Sequence, residues 1–507
     1  MPAAGGQHCF YQKRGTMTAR NDPSPPVAIA EIPAGAGLIG ITHQPGTGGG
    51  SLAADLARID AWRPDSVVSL VEAPGDARPG FAAAPGRRSA DRHHLPIVDM
   101  QVPDAAFERG WTYHGHVLRR RLQAGGRVLV HCRAGLGRSG MIAARLLVEL
   151  GAAPEEAMAA VRAARPGAIE TPAQEAHVHG CRPAGDGAHA DRVLGCLMGG
   201  AIGDAFGYPV EFISLSRIRR TYGAEGIAGP ELNDREQWEV SDDTQMTLFT
   251  VEGLVDGLSR GGDALARLRE AYGSWLATQT DRFNPAVGAD RLASFRALWA
   301  QRDPGHTCLT ALSAGGRGSL ERPANNSKGC GGVMRTAPIG LVRSLSPEQC
   351  LELGARVAAI THGHPSGYWT AGAIAAIVRL TCDGVETGEA VRQVIVLLQN
   401  RARSEETVAA LRRALDPRIA TIDELGEGWV GEEALAMGVH AVLRGGSLKE
   451  VLMIAVNHDG DSDSTGSIAG QIWGAREGVA HMPVDWVSVL DVLAPLNHVA
   501  GRLIAVA

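Results

Sequence analysis

The chain has 507 residues, of which 45% are hydrophobic and 21% are charged, and its formal net charge is −6. This length predicts two domains rather than a single core. The negative charge argues against attraction of the whole chain to nucleic acid or to an anionic membrane, so we expect neither as a partner. We also identify no apolar run of the roughly eighteen residues that a membrane span needs.

The cysteine pattern and the N-terminus predict the compartment. The cysteines form no CxxC pair and no zinc-binding spacing, which is typical of reduced intracellular thiols. Residues 1–26 lack the apolar core of a signal peptide, so we expect a disordered leader and a cytoplasmic protein. Met17 is an alternative start. The eight cysteines are Cys9, Cys132, Cys181, Cys196, Cys308, Cys330, Cys350 and Cys382.

Residues 27–180 alternate short β-branched runs with helical patterns. The runs 67–71 and 127–131 are typical of buried strands, and helices are predicted over 52–62 and 105–124. Because strands and helices alternate, we expect an α/β layer here.

A cysteine and a glycine-rich loop follow the second predicted strand, just before a predicted helix. The unpaired N–H groups at a helix N-terminus can stabilise the thiolate of Cys132 and bind a phosphate group. Gly135 and Gly137 allow a tight backbone curve, and the planar guanidinium of Arg138 can hold two phosphate oxygens. Ser139 can orient or protonate the sulfur when it becomes the leaving group. The spacing therefore predicts one loop around one phosphate.

The stretch His131–Gly140 resembles the HCxxGxxR(S/T) signature of dual-specificity-type protein tyrosine phosphatases, and the resemblance extends over residues 27–180. It implies an α/β cysteine-phosphatase fold in which Cys132 is the nucleophile. The phosphate-binding residues that it implies are Arg133, Ala134, Gly135, Leu136, Gly137 and Arg138.

The same resemblance implies a general acid upstream of the cysteine. The segment His94–Asp99 is similar to the acid loop of these phosphatases, so Asp99 is the candidate and Asp104 is the alternative. Arg165–Thr171 and Gln174 also resemble the segment at the C-terminal end of these phosphatase domains.

A linker and a second, helical domain are predicted for the rest of the chain. Residues 181–190 contain turn-forming residues without apolar periodicity, as linkers do. Beyond them, helical periodicity dominates, so we expect one all-α domain over 191–507. The predicted helices are 191–207, 244–258, 262–279, 287–301, 347–360, 367–381, 387–398, 404–415, 431–443, 447–456 and 466–478.

Two predicted helices carry glycine at every fourth position. Each interior glycine costs a helix roughly 1 kcal/mol relative to alanine, so the pattern needs a compensating benefit. A face without side chains lets helix backbones approach closely, and we therefore expect both helices near the domain centre. The glycines are Gly195, Gly199, Gly203 and Gly207 in one helix and Gly466, Gly470, Gly474 and Gly478 in the other.

Acidic residues crowd two short segments, Ser241–Thr244 and Gly460–Gly466. Neighbouring carboxylates repel one another unless cations, protons or hydrogen bonds compensate, and a hard divalent cation prefers such oxygen ligands. Capping of a following helix is the alternative role for Ser241 and its aspartates. A calcium EF-hand is excluded, because Gly470 stands where that loop needs glutamate.

Residues 191–507 resemble the ADP-ribosylglycohydrolase family, typified by the dinitrogenase reductase-activating glycohydrolase. The matching segments are Gly203–Glu211, Ser241–Thr244, Gly329–Arg335, Thr361–His362 and the segment around Asp461. The resemblance implies an all-helical enzyme with two Mg²⁺ ions, Mn²⁺ being an alternative, and Glu211 as a mobile carboxylate. The metal ligands that it implies are Ser241, Asp242, Asp243, Asp461, Asp463 and Ser464.

Candidate residues for ADP-ribose binding and for proton transfer follow from the same resemblance. Cys330 stands where a polar amide is expected, and His364 is a further nucleotide-binding candidate. Both His362 and His364 could instead cap a helix. Asp242, Asp243 and Glu211 are the candidates for proton transfer. The ADP-ribose-binding candidates are Gly331, Gly332, Val333, Met334 and His362.

These observations predict a multidomain, bifunctional hydrolase. One site would remove ADP-ribose from protein side chains with Mg²⁺, and arginine is the favoured linkage; the other would hydrolyse phosphate monoesters. The expected partners are ADP-ribosylated or phosphorylated proteins. The alternatives are hydrolysis of a small ADP-ribose derivative, such as a phosphorylated ADP-ribose, and binding of ADP-ribose or phosphate without turnover.

Overall fold

The computed structural model describes residues 27–47, 51–72, 90–261, 263–284, 288 and 290–507. The predicted leader, residues 1–26, lies outside these ranges. The described chain has an N-terminal α/β domain and a C-terminal helical domain, which confirms both predicted fold classes.

The N-terminal domain is built on a five-stranded sheet of order β1-β2-β5-β3-β4. Strand β1 pairs antiparallel with β2, and the remaining neighbours are parallel. Three of the strands, β1, β2 and β4, were not predicted from the sequence. The strands are β1 (Ala30–Ala34), β2 (Gly37–His43), β3 (Ser66–Ser69), β4 (Asp91–His94) and β5 (Arg127–Cys132).

Helices cover both faces of this sheet. Ile41 and Val130 contribute to the core on one face, together with residues of α2, α3, α4 and α5. Leu129 points to the opposite face, where Trp62 of α1 packs, as alternation along a strand requires. The helices are α1 (Leu52–Trp62), α2 (Ala105–Gln123), α3 (Gly137–Glu149), α4 (Pro154–Ala164) and α5 (Pro172–Gly180).

The C-terminal domain consists of helices joined by loops and short 3₁₀ turns. The helices are α6 (Gly187–Gly207), α7 (Leu215–Tyr222), α8 (Asp242–Arg260), α9 (Ala264–Thr280), α10 (His306–Ser313), α11 (Pro347–Ala358), α12 (Pro365–Cys382), α13 (Thr387–Gln399), α14 (Glu405–Leu415), α15 (Gly431–Arg444), α16 (Leu448–Val456), α17 (Ser462–Glu477), α18 (Val484–Ser488) and α19 (Leu493–Val506).

One predicted helix is wrong, and another begins earlier than predicted. The predicted helix 287–301 is wrong: its described part forms two 3₁₀ turns, and the N–H of Leu292 donates to the Glu252 carboxylate at 2.8 Å instead of continuing a helix. Helix α6 begins at Gly187, inside the predicted linker, because the Asp186 side chain accepts hydrogen bonds from the N–H groups of Ala188 and His189 and caps the helix.

The two glycine-rich helices, α6 and α17, pack directly on each other. A Cβ atom added at Gly199 would lie within 3.0 Å of the Gly470 carbonyl oxygen, and the pair Gly203 and Gly466 is equally close. The backbones are therefore in contact along this seam, as the sequence pattern predicts. In the described residues one helical stretch, Gly187–Val210, has the length and composition of a membrane span, but 89% of its apolar window is buried in the protein.

Helix α2 joins the two domains. Its residues Tyr113 and Val117 belong to the hydrophobic core of the helical domain, whereas Trp111 and Leu118 belong to the core of the α/β domain. One helix thus contributes side chains to both cores, and the domains share an apolar interface.

Candidate active sites

Helices α8 and α17 begin at the same place in the helical domain. Ser241 caps α8 by accepting a hydrogen bond from the N–H of Asp243, and Asp461 caps α17 by accepting one from Ser464. Both acidic segments thus also have the capping role that was the alternative for Ser241. Because the positive ends of two helix dipoles lie there, they partly compensate the charge of the carboxylates.

Asp204, near the C-terminal end of α6, holds the start of α8 in place. Its carboxylate accepts hydrogen bonds from the N–H groups of Ser241 and Thr244, both at 2.9 Å, and it is fully buried. Burial and the charge of Asp463 raise its pKa. Asp204 had no predicted role, although it lies in the Gly203–Glu211 segment. Its position at the end of a series of glycines could have indicated one.

Three other carboxylates lie close together near Asp204. One oxygen each of Glu211, Asp461 and Asp463 lies within 4.8 Å of the other two. Desolvation, followed by repulsion from Asp463 and Asp461, raises the pKa of Glu211, and burial likewise raises the pKa of Asp463. Such a cluster is unfavourable without a counter-charge.

The cluster has the properties of a divalent-cation site. Glu211 Oε2 and Asp243 Oδ2 are buried and have no hydrogen-bond partner among the described residues. Asp242 is also buried, and its Oδ2 accepts a hydrogen bond from the N–H of Gly305 at 3.1 Å. Unsatisfied carboxylate oxygens of this kind fit a hard cation such as Mg²⁺ or Mn²⁺.

A cavity of about 480 Å³ opens beside the carboxylates. Gly331, Met334 and His362 line it, as does Cys330. Burial lowers the pKa of His362 to about 3, so this side chain is neutral at physiological pH. The cavity is large enough for a nucleotide-sized ligand.

Three other ADP-ribose-binding candidates lie away from the cavity wall. Gly332 packs against α12, where an added Cβ would lie 2.6 Å from the Gly367 carbonyl oxygen, and Val333 is fully buried in the core. His364 caps α12 by accepting a hydrogen bond from Ser366 N–H.

Several residues at the cavity were not identified from the sequence. Asp303 accepts a hydrogen bond from the Tyr208 hydroxyl at 2.9 Å and lines the cavity close to Glu211. Phe212 and Trp429 line its mouth. Their positions depend on contacts between distant segments, which left no signal in the local sequence.

The loop after β5 runs from Cys132 to the start of α3. Cys132 Sγ lies 3.4 Å from Ser139 Oγ at the end of the strand. Gly135 has φ +70° and a Cβ there would clash with the backbone of Thr42, so only glycine fits this turn. Gly137 N–H donates to Glu170 at 2.7 Å, which anchors the start of α3.

Arg138 and the two candidate acids occupy distinct positions. The Arg138 guanidinium lies 2.7 Å from Asp99 and donates to the Ile97 carbonyl oxygen at 2.8 Å. Asp104 instead caps α2 by accepting a hydrogen bond from Phe107 N–H at 2.8 Å. Arg165 donates to the carbonyl oxygens of the loop and supports its shape. The geometry therefore favours Asp99 over Asp104 as the acid.

Comparison with known families matches both domains. The family model described as ADP-ribosylglycohydrolase covers residues 186–507. A second model, described as the DSP-PTPase phosphatase domain of Swiss Army Knife proteins, covers residues 65–178.

Similar proteins match the helical part of the chain. ADP-ribosyl-[dinitrogen reductase] glycohydrolase of Rhodospirillum rubrum is 26% identical, with 59% of this chain and 90% of that protein aligned. ADP-ribosylarginine hydrolase Tri1 of Pseudomonas putida is 25% identical over 59% of this chain and 73% of that protein. ADP-ribosylhydrolase ARH3 of Bos taurus is 25% identical, with 63% of this chain and 95% of that protein aligned.

Solved structures align with each domain. An ADP-ribosylglycohydrolase-related protein complex aligns with a TM-score of 0.45 and 24% identity over 63% of this chain and 99% of that chain. Kinase associated phosphatase aligns with a TM-score of 0.26 and 23% identity over 31% of this chain and 94% of that chain. On the match over residues 186–507, the chain belongs to the ADP-ribosylglycohydrolase family, and it carries a dual-specificity-type phosphatase domain ahead of the glycohydrolase domain.

Proposed function

We propose that the helical domain removes ADP-ribose from modified protein side chains with the help of Mg²⁺. The observation that carries this proposal is the meeting of the Glu211, Asp461 and Asp463 oxygens within 4.8 Å at the wall of the cavity. We propose two ions, for which Mn²⁺ is an alternative. The side chains that would hold them are Ser241, Asp242, Asp243, Asp461, Asp463 and Ser464.

The bound cations would supply Lewis-acid binding of the ribose hydroxyls and of a water molecule. Glu211 is our first candidate for accepting the proton of that water, since it lines the cavity and is only part-buried, whereas Asp242 and Asp243 are buried. The bond from the ribose C1″ carbon to the side-chain nitrogen would break, the water oxygen would bond to that carbon, and the proton taken from the water would pass to the leaving nitrogen. Asp242 and Asp243 are the other candidates for the proton.

We favour arginine as the modified side chain. Two similar proteins are a hydrolase of ADP-ribosyl-dinitrogen reductase and an ADP-ribosylarginine hydrolase. The helical domain aligns with most of the length of both, which supports the same linkage in this chain.

We further propose that the N-terminal domain hydrolyses phosphate monoesters. Cys132 would attack phosphorus, so that an S–P bond forms while the ester P–O bond breaks, and Asp99 would give its proton to the leaving oxygen. Water then hydrolyses the S–P bond. The closeness of Cys132 to Ser139 and of Arg138 to Asp99 supports these roles.

One assay on the purified full-length chain tests both proposals. ADP-ribosyl-arginine and ADP-ribosyl-serine peptides are incubated with Mg²⁺ or with a chelator, and p-nitrophenyl phosphate is assayed in parallel. We expect Mg²⁺-dependent release from the arginine peptide, loss of it in Asp461→Ala, and loss of phosphatase activity alone in Cys132→Ser. Binding of ADP-ribose without turnover would refute the glycohydrolase proposal, and turnover of only a phosphorylated ADP-ribose would identify a small-molecule substrate.

A further inference from the structure

A second cavity, of about 490 Å³, lies where the two domains meet. Helix α2 and the end of α3 form its wall on the phosphatase side, and residues 182–187, α6 and α19 form the remaining wall. In the described part of the chain, none of the residues proposed for phosphate transfer or cation binding lines this cavity. Ligand sites are often found at domain interfaces, and this volume suits a molecule the size of a nucleotide.

The two glutamates of this cavity are already paired with arginines. Glu149 forms ion pairs with Arg119 and with Arg145, whose Nε atom lies 2.8 Å from the carboxylate. Arg145 also donates to both carboxylate oxygens of Glu108, at 2.7 and 2.8 Å. Because each of these negative charges has a positive partner in contact with it, an incoming anion would meet little repulsion from them.

Two further arginines line the same cavity without an acidic partner. Arg120 belongs to α2 and Arg182 to the linker, and both are exposed. The Arg182 guanidinium donates to two backbone carbonyl oxygens, and neither arginine forms a salt bridge with an acid among the described residues. Asp191, which lies within range of the Arg120 charge, already binds His116. Because a planar guanidinium can hold two oxygens of one phosphate group, this pair favours a phosphate ligand.

The N-terminus of α6 adds the positive end of a helix dipole to the cavity wall. Asp186 caps this helix, and its second oxygen pairs with Arg343 at 2.7 Å, so its charge is compensated. In the ranges that the structure describes, the N–H of Gly187 has no hydrogen-bond partner, and a Cβ atom built at this glycine would meet no atom within 4 Å. Gly187 therefore presents an open N–H group to the cavity.

We propose that this interdomain cavity binds a small organic phosphate of nucleotide size. Arg120 and Arg182 would hold the phosphate oxygens, and the side chains of Leu150 and Ile504, which also line the cavity, would contact the apolar part of the molecule. The ligand would touch α2 and α19, one helix from each domain, and so strengthen the association of the domains. The site is independent of the two activities proposed above.

Amide hydrogen exchange on the full-length chain tests this site, with ADP as the probe and adenosine as the control without phosphate. ADP should slow the exchange of segment 184–190 several-fold, and adenosine at the same concentration should not. Equal protection by both compounds, or none by ADP, would overturn the proposal. Protection should persist in Asp461→Ala and in Arg138→Ala. Its loss in either variant would assign the effect to an active site and would overturn the proposal as well.

Because Arg120 and Arg182 are exposed, each can be replaced without disturbing a core. Arg120→Ala and Arg182→Ala should each raise the Kd for ADP about tenfold, because each removes a charge-assisted hydrogen bond. The Kd is read from the dependence of the protection on ADP concentration. Arg58→Ala, which replaces an exposed arginine of α1, is the matched control and should leave the Kd unchanged. A wild-type Kd in the Arg120→Ala, Arg182→Ala double variant would refute the site.

Discussion

The Nε2 atom of His116 lies 2.9 Å from Oδ1 of Asp191, and this buried hydrogen bond links α2 of the phosphatase domain to α6 of the glycohydrolase domain. Asp191 also accepts a hydrogen bond from Ala480 N–H at 3.2 Å, just beyond the C-terminal end of α17. One carboxylate therefore ties the phosphatase domain to the two glycine-rich helices.

Asp191→Ala should destabilise the protein by roughly 1–3 kcal/mol, because it removes the acceptor of the buried His116 and of the part-buried Ala480 N–H. Guanidinium unfolding measures the effect. Asp191→Asn keeps an acceptor oxygen at the same position and serves as the control with a smaller loss. Equal unfolding midpoints for wild type and Asp191→Ala would contradict a structural role for this contact.

Asp99→Asn should lower phosphatase kcat roughly 10²-fold, since the leaving oxygen loses its proton donor. The loss should be larger for a phosphotyrosine peptide than for p-nitrophenyl phosphate, whose leaving group needs less protonation. Asp104→Ala should leave kcat unchanged and cost about 1 kcal/mol of stability, as expected for a helix cap. The reverse pattern of rates would make Asp104 the acid.

Divalent cations should stabilise the protein more at about pH 7.5 than at about pH 5.5. Burial and neighbouring carboxylates raise the pKa of Asp463 and Glu211. Without an ion, the folded protein therefore retains protons that the unfolded chain releases above about pH 4, and its stability falls as pH rises.

Thermal melting with Mg²⁺ measures this effect. The free energy of unfolding should increase by about 2.7 kcal/mol when the ion concentration is 100 times Kd. Asp463→Asn should raise the melting temperature of the ion-free protein, because it removes a repelling charge, and should reduce the Mg²⁺-induced increase. An undiminished increase in this variant would show that the ion binds elsewhere.

Acid should destabilise the protein through His114. Desolvation by burial lowers the pKa of His114 to about 4, and its Nδ1 is 2.9 Å from Nδ1 of the equally buried His93. The unfolded chain binds this proton near pH 6.5 and the folded protein does not, so stability is full above pH 6.5 and falls as pH drops toward 4. Between these two pH values, His114 should lower the free energy of unfolding by about 3 kcal/mol.

His114→Gln should flatten this part of the curve of unfolding free energy against pH. His481→Gln, at an exposed position, is the matched control. A pH dependence that is the same in wild type and His114→Gln would contradict the prediction.

Gly470→Ala should destabilise the protein by roughly 1–3 kcal/mol, because the added methyl group meets the carbonyl oxygen of Gly199. Gly273→Ala is the matched control. It lies inside helix α9, and a Cβ there has no neighbour within 4 Å among the described residues. This variant should gain roughly 1 kcal/mol from helix propensity. Similar melting temperatures for the two variants would refute close packing at Gly470.

Features with a local sequence pattern could be predicted. The loop from Cys132 to Arg138 is contiguous, and the glycine spacing on α6 and α17 follows the helix period, so both were recognisable. Strand β4 was missed because Asp91–His94 is polar, although it pairs with β3 at the sheet edge.

Features that depend on distant contacts could not be predicted. Asp204 acts on Ser241, 37 positions away, and nothing near Asp204 indicates where α8 will begin. The stack of Phe212 on Trp429 joins still more distant segments. The predicted helix 287–301 failed for the same reason, since a hydrogen bond to Glu252 from another helix replaced the local one.

The seam of glycines between α6 and α17 also determines how accurately the carboxylates are positioned. Asp204 lies at one end of α6 and Asp461 at the adjoining end of α17, and the surfaces between the helices are main chain. Side-chain rotamer changes do not alter the gap between these backbones. The distance between the two acids therefore varies only as much as the helix backbones themselves move. A chelated protein should therefore keep Asp204 and Asp461 at the same spacing, so this helix pair needs no rebuilding before the proposed cation returns.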